Sequence, residues 1–254
     1  MRDGSWSEAV RLTQRSQRAI QIKRFYKNVD IGEAEGGWQL RLDGRAARTP
    51  TRNRLIAPTR ALGERLVSEW AAQGEALDPV EMPLTRLANS AIDGVANTLV
   101  ETRADIAAYA GTDLLCYRAL EPEGLVAMQA EAFDPVLAWA DEALDARFIL
   151  SASLIHVAQP EPTLAAMRAA IDAYENPFAI AALHGLTSLS GSALLALAAA
   201  RGAISPEAAW RAAHVDEDFQ IRRWGEDEEA MIRRAGRWRE FQVAAFVANE
   251  FRGG

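Results

Sequence analysis

The sequence is poor in the side chains that most soluble catalysts depend on. One cysteine, Cys116, occurs in 254 residues. No internal disulfide can form, no paired-cysteine zinc pattern exists, and a reducing compartment fits. The three histidines, His156, His184 and His214, stand in separate segments and form no HExxH or HxH pattern. A catalytic zinc needs about three protein ligands, so the supply is thin. Neither GxxxxGK[ST] nor GxGxxG is present, which leaves nucleotide binding without a motif. No apolar run is long enough to cross a bilayer. The best candidate, ALLALAAA from Ala193 to Ala200, is followed by Arg201 and Gly202 and reads as a buried helix. Lysine is confined to Lys23 and Lys27; the other basic residues are arginine, and with abundant alanine this points to a GC-rich bacterial genome.

What remains is an ordinary globular composition. Hydrophobic residues make up 49% and charged residues 25%, enough for one large domain or two modest ones. The net charge of -7 argues against nucleic acid as a partner, because phosphate binding requires a basic surface. Up to Lys27 the balance is reversed, with seven basic residues against Asp3 and Glu8. Residues 1–22 read as a flexible basic arm.

Residues 23–57 carry β signals. Trp38 to Leu42 alternate apolar and polar, Gly36-Gly37 precede them, and Asp43-Gly44 follow. Flanking strands are expected in RFYKNVDI and RLIAP, and another over Leu77 to Met82. At Pro58 the period changes: Leu62, Leu66 and Trp70 recur every four residues after Thr59, a plausible cap. From Pro83 the pattern is nearly all helical. Helices are expected over Thr85–Ala96, Leu99–Tyr109, Leu125–Leu144 with Pro135 kinking or dividing it, Thr163–Tyr174, Phe178–Leu186 and Ser192–Arg201, and again from Ser205-Pro206. The expected fold is therefore α+β: a small antiparallel, β-rich N-terminal domain with one helix over residues 23–94, then an all-α domain over 95–254.

Candidate chemistry is sparse. Cys116, in the apolar setting DLLCYR, reads as a small core residue. Ser190-Gly191-Ser192 lacks the GxSxG spacing of a nucleophile elbow and reads as a helix start. His214, Glu217 and Asp218 have helical spacing and supply one alternative, a metal-dependent hydrolase. A general protein-binding adaptor is another. On one continuous helix from Pro206, Trp210, His214, Glu217, Ile221 and Trp224 would form a single stripe, apolar at its ends and polar in the middle. A carboxylate among indoles is costly unless a cation or donor meets it. On this reading Asp216 and Asp218 point elsewhere and can be solvated. Glu217 either pairs internally, with an arginine such as Arg86, or lines a groove and meets a partner. Glu226 to Glu229 fit the first turn of the next helix, where the helix dipole favours negative charge.

HGLTSLSGSALLALA, SPEAAW and HVDEDFQIRRWGEDEEA, taken with KRFYKNV, GWQLRLDGRAARTP, Ser68-Glu69-Trp70 and TDLLCYR in collinear order, resemble the ATP-twelve family of ATP synthase assembly chaperones. The likeness runs from about Lys23 to Phe251. It implies a non-enzymatic protein without a cofactor that binds the unassembled α subunit of the catalytic sector until the β subunit displaces it. It also implies partner-binding roles for Glu217, Gln220, Trp224, Gly225 and Glu226, and packing roles for Trp70 and Trp210. The absence of the long presequence of mitochondrial members leads to the expectation of a bacterial, cytoplasmic protein, a monomer that inserts into no membrane; eukaryotic relatives would sit in the mitochondrial matrix.

Overall fold

Turn chemistry builds the sheet. The computed structural model describes residues 22–152 and 157–252, so His156 and all of the expected basic arm except Ile22 lie outside the described residues. Strand β1 (Val29–Ala34) and β2 (Gly37–Leu42) pair antiparallel from Ala34↔Gly37 to Val29↔Leu42, around a two-residue turn. Gly37 has φ +139, and a Cβ there would lie 2.2 Å from the Ala57 carbonyl oxygen, so only glycine fits. Asp43 and Gly44 both take positive φ, the requirement of the mirror-image turn that returns β2 to β3 (Arg45–Ala46). The Asp43 carboxylate accepts the Lys27 and Asn28 amides, and these donors hold it below its ordinary range. β4 (Ile56–Ala57) pairs antiparallel with the other end of β2.

The extended stretch before β1 starts the ladder only at Val29. Arg24 instead donates its amide to Glu75, and Lys23 bridges Ala76. The strand expected over Leu77–Met82 is a 3-10 turn, Pro79–Glu81. Asp78 caps it through the Val80 amide at 3.0 Å, with proline in the first helical position.

Ten α-helices follow among the described residues. They are α1 (Arg60–Ala71), α2 (Pro83–Asp93), α3 (Leu99–Tyr109), α4 (Glu123–Leu144) and α5 (Glu161–Asp172), then α6 (Pro177–Ser190), α7 (Ala193–Arg201), α8 (Pro206–Ala213), α9 (Val215–Trp224) and α10 (Glu228–Asn249). Thr59 caps α1 as its position in sequence suggests. Pro135 does not divide α4, which runs unbroken through it. Its ring lies on the exposed side, where water can satisfy the carbonyl it frees.

Helix α6 is the pivot. Nearly every residue from Phe178 to Leu186 is buried, and α2, α3, α7 and α10 pack around it. Gly191, at φ +71, ends α6 in a left-handed cap, and Ser192 starts α7 by accepting the Leu195 amide at 3.0 Å. Ser190 donates to the Leu186 carbonyl, so the serine pair is helix punctuation. All of α7 from Ala193 to Ala200 is buried. Asp113, also fully buried, secures its start by accepting the Ser192 hydroxyl at 2.7 Å and the Leu194 amide at 3.1 Å. On α10, Phe241, Ala245 and Val247 face the core, with Trp238 and Phe246 packed at its margin.

The sheet joins the helical body through the Ser68-Glu69-Trp70 turn. The Glu69 carboxylate accepts the Leu84 and Thr85 amides and the Thr85 hydroxyl, which caps α2 from α1. Trp70 donates Nε1–H to Thr85 Oγ1 at 2.9 Å, and its ring packs against Tyr26, centroids 5.5 Å apart. One buried cluster runs from Tyr26 and Leu40 through α1 and α2 into α6 and α10. The small antiparallel sheet followed by helices is the α+β arrangement that the sequence periods indicate. No helix of the described residues is long and apolar enough to cross a membrane.

Candidate functional site

The continuous helix expected from Pro206 does not exist. The chain leaves helical geometry at His214, with φ -119 and ψ 20, and a separate helix, α9, begins at Val215. The stripe joining Trp210 to Trp224 is therefore severed. Trp210 is buried at the end of α8, against Phe241 and Trp238 at 5.4 Å and the His214 ring at 3.9 Å. Trp224 lies at the far end of α9, 80% exposed. The setting that would strand Glu217 between indoles is thus absent.

Its real neighbours are charged. Glu217 is half-exposed, and its Oε2 lies 3.9 Å from Nη1 of Arg234, a residue of α10. Arg86, suggested as the internal partner by sequence, pairs with Glu240 at 2.7 Å instead. The neighbouring acids have partners of their own, although Asp216 is also exposed to solvent. Asp218 holds Arg234 Nη2 at 2.5 Å, and Asp216 accepts from Gln129 Nε2 at 2.7 Å. Buried Gln129, on α4, also accepts the Ala119 amide. These contacts clamp the first turn of α9 between α4 and α10. The Phe219 ring adds an apolar contact beside Gly124. Neither Gln129 nor Arg234 stands in a motif. A signal for the break was nevertheless present: three acids, Asp216 to Asp218, open α9 and two arginines, Arg222 and Arg223, close it. That is the charge order of a separate helix.

The outer face of this helix pair holds the rest of the tract. Gln220, Trp224, Gly225 and Glu226 are exposed, and the Arg223 guanidinium lies 5.6 Å from the Trp224 ring centre. Gly225 adopts φ 91 and ψ 175, a region closed to side-chain-bearing residues, and this lets α9 and α10 meet at a sharp corner. Asp227 caps α10 through the Ala230 amide at 2.7 Å, and Glu228 and Glu229 fill its first turn. The second acidic cluster is thus a helix start, as its sequence indicates. The structure brings Glu217 to the inner edge of the corner and Gln220, Trp224, Gly225 and Glu226 to its outer surface. Trp70 is far along the chain, in the joint between sheet and helices.

The metal reading finds no geometry. His214 is buried with Nδ1 2.8 Å from the Trp210 carbonyl oxygen, and Asp218 is committed to Arg234. Burial holds the His214 imidazole below its usual range. Among the described residues no three His, Cys, Asp or Glu side chains gather as a metal site. Cys116 is buried, and burial, together with the nearby Asp113, pushes its thiol up to about 12, away from the thiolate form.

The first turn of α9 is thus held by α4 and α10, while the Trp224 indole at its end is left exposed. A family model described as ATP12 chaperone protein matches residues 23–141. The Atu1473 protein of Agrobacterium tumefaciens, described as a candidate chaperone, is 48% identical, with a TM-score of 0.86 over 89% of this chain and 85% of that one. Atp12 from Paracoccus denitrificans is 42% identical, with a TM-score of 0.84 over 91% of this chain and 99% of that one. A mutant of the same Paracoccus protein aligns at a TM-score of 0.82 and 42% identity, covering 89% and 96% of the two chains. These matches give the class, a chaperone. The chain belongs to the ATP12 chaperone family.

Proposed function

We propose that this protein is a non-enzymatic assembly factor for ATP synthase. It binds the unassembled α subunit of the catalytic sector and prevents its aggregation until the β subunit displaces it. The physical logic is mass action on a temporary cover. An orphan subunit exposes apolar surface intended for its ring neighbours, and such surface aggregates. A monomeric, cytoplasmic protein that shields it reversibly needs no cofactor, and the larger permanent interface wins at assembly.

The observation that carries this reading is the indole of Trp224, left 80% exposed at the corner of two clamped helices in a chain of the ATP12 family. An indole 80% exposed buries little apolar area within the chain, whereas tryptophan is enriched among the residues that anchor protein interfaces. Gln220, Gly225 and Glu226 surround it, and Glu217 sits at the base of the same helix. The test is capture of separately expressed α and β subunits. The full chain should retain α and not β, and should suppress aggregation of α well beyond that of an unrelated protein. Trp224→Ala should weaken α capture without lowering the melting temperature. Equal retention of α and an unrelated protein would indicate a general adaptor. Retention of neither subunit would refute the assignment.

A further inference from the structure

A second surface, distant in sequence from the helix corner, has the composition of a binding groove. The space between the Ile22–Phe25 stretch, the loop of β3 and β4, and the start of α2 encloses about 1270 Å3. Small-molecule sites are typically roughly 300–1,000 Å3, so this groove exceeds them. Leu55, Trp70 and Met82 contribute to its walls. Ile22, Phe25 and Val80 stand round it at 56%, 66% and 60% exposure, among the most exposed large apolar side chains of the described residues. Apolar groups gathered in this way mark an interaction surface more often than chance exposure.

The groove also carries a sign of charge. Its β3–β4 side belongs to a stretch with Arg45, Arg48, Arg52 and Arg54, none of which forms an ion pair among the described residues. Arg48 lines the groove. The Asp93 carboxylate ties this loop to α2 by accepting the Thr49 hydroxyl at 2.7 Å, the Asn53 amide group at 3.0 Å and the Thr51 amide at 3.3 Å, and these donors keep it ionised. Arg86 is paired with Glu240, and the Asp78 carboxylate, which accepts the Val80 amide, stays an anion on the side that precedes α2. Asn89 also lines the space, and its buried Oδ1 has no donor among the described residues. An occupant therefore meets apolar walls and, on the β3–β4 side, the Arg48 guanidinium, which forms no ion pair among the described residues.

We infer that this groove is a second client-binding surface, and that it takes an extended apolar segment of the unassembled client flanked by carboxylates. The inference rests on the chaperone reading above and supplies the chemistry of a further contact. Two ion pairs, Arg86–Glu240 and Arg239–Glu81, tie the groove wall to α10. The same helix holds the corner at Arg234, so one rigid element connects both surfaces.

Fluorescence anisotropy of the full chain tests it with two labelled peptides that share a central Val-Leu-Val-Leu run. One is flanked by glutamates and the other by lysines. The glutamate peptide should bind about tenfold tighter, Arg48→Glu should reverse that order, and Phe25→Ser combined with Val80→Ser should abolish binding of both. Because these side chains are already exposed, the variants should retain the wild-type melting temperature. Equal affinity for the two peptides, or undiminished binding by the double variant, would overturn the inference. So would a concentration-dependent rise in sedimenting mass that the double variant removes, since the occupant would then be a second copy of the chain. If the wild-type protein captures the α subunit and the double variant captures it equally well, the groove inference fails alone. If the wild type captures no α subunit, the chaperone assignment fails, and the client role of the groove with it.

Discussion

Glu217→Ala and Asp218→Ala, compared in one unfolding experiment, separate an interface carboxylate from a structural one. Both side chains address Arg234, whose side chain is only 15% exposed. Asp218 is 27% exposed and approaches to 2.5 Å; Glu217 is 42% exposed at 3.9 Å. Exposed pairs contribute about 0–1 kcal/mol, while removal of one partner from a buried pair costs roughly 3–5 kcal/mol. Glu217 belongs to the first class and should cost under about 1 kcal/mol. Asp218 is intermediate: its loss leaves a mostly buried guanidinium with only a distant partner, for about 2 kcal/mol. Urea unfolding followed by circular dichroism gives both values from the shift in midpoint at constant slope. Double-mutant cycles with Arg234→Met should then show strong coupling for Asp218 and weak coupling for Glu217. In the capture assay the order should reverse, with Glu217→Ala weakening α binding although it hardly alters folding. A loss of about 3 kcal/mol or more for Glu217→Ala would mean a closed internal pair and would refute the assignment of Glu217 to the docking surface.

Asp113→Ala should cost about 3 kcal/mol or more in the same assay, because it strands the Ser192 hydroxyl and the Leu115 and Leu194 amides in the core. Burial pushes the Asp113 carboxyl up to about 6 from an ordinary 3.8 despite those donors. The folded state therefore binds this proton more tightly than the unfolded state, and the associated stability declines as pH rises from about 4 through about 6; neutral Asp113→Asn should lack that decline, and an unchanged pH profile would contradict it. His214 acts in the opposite sense. Its lowered pKa makes stability present above about 6.5 and lost as pH falls below it. His214→Gln should flatten that loss, and an NMR titration of the ring with an unshifted midpoint would disprove the cause. Cys116 should resist a thiol reagent such as DTNB at pH 8 in the folded protein and react fully in urea; rapid labelling of the native state would exclude the buried, protonated thiol.

Local signals in the chain were strong wherever one interaction decided the outcome. Asp43-Gly44 dictates a turn because few other residues accept positive φ in succession. Ser192 and Gly202 bracket α7 by a cap at each end, and Ser205-Pro206 start α8. Reading failed where two local rules competed. Leu77–Met82 has strand-like spacing, but Asp78-Pro79 is a cap and a first-turn proline, and the 3-10 turn prevails. At Pro135, where a kink or a division is expected, the helix is not divided, since the proline lies on the exposed side and water can satisfy the freed carbonyl. At His214 an unbroken 3.6-residue period concealed a junction that the order of charges in HVDEDFQIRRW announced.

By itself the sequence determined the order and kind of most elements, the family, and the tract that carries its likeness. These depend on contacts a few residues apart, on turn geometry and on the hydrophobic period, all written along the chain. Only tertiary structure decided what each charge meets. That Arg234 serves Asp218 before Glu217, that Gln129 restrains Asp216, and that Trp210 is buried while Trp224 is bare are consequences of helix packing between distant segments. A side chain's partner depends on distance and dielectric in space, which residues far apart in the chain set together.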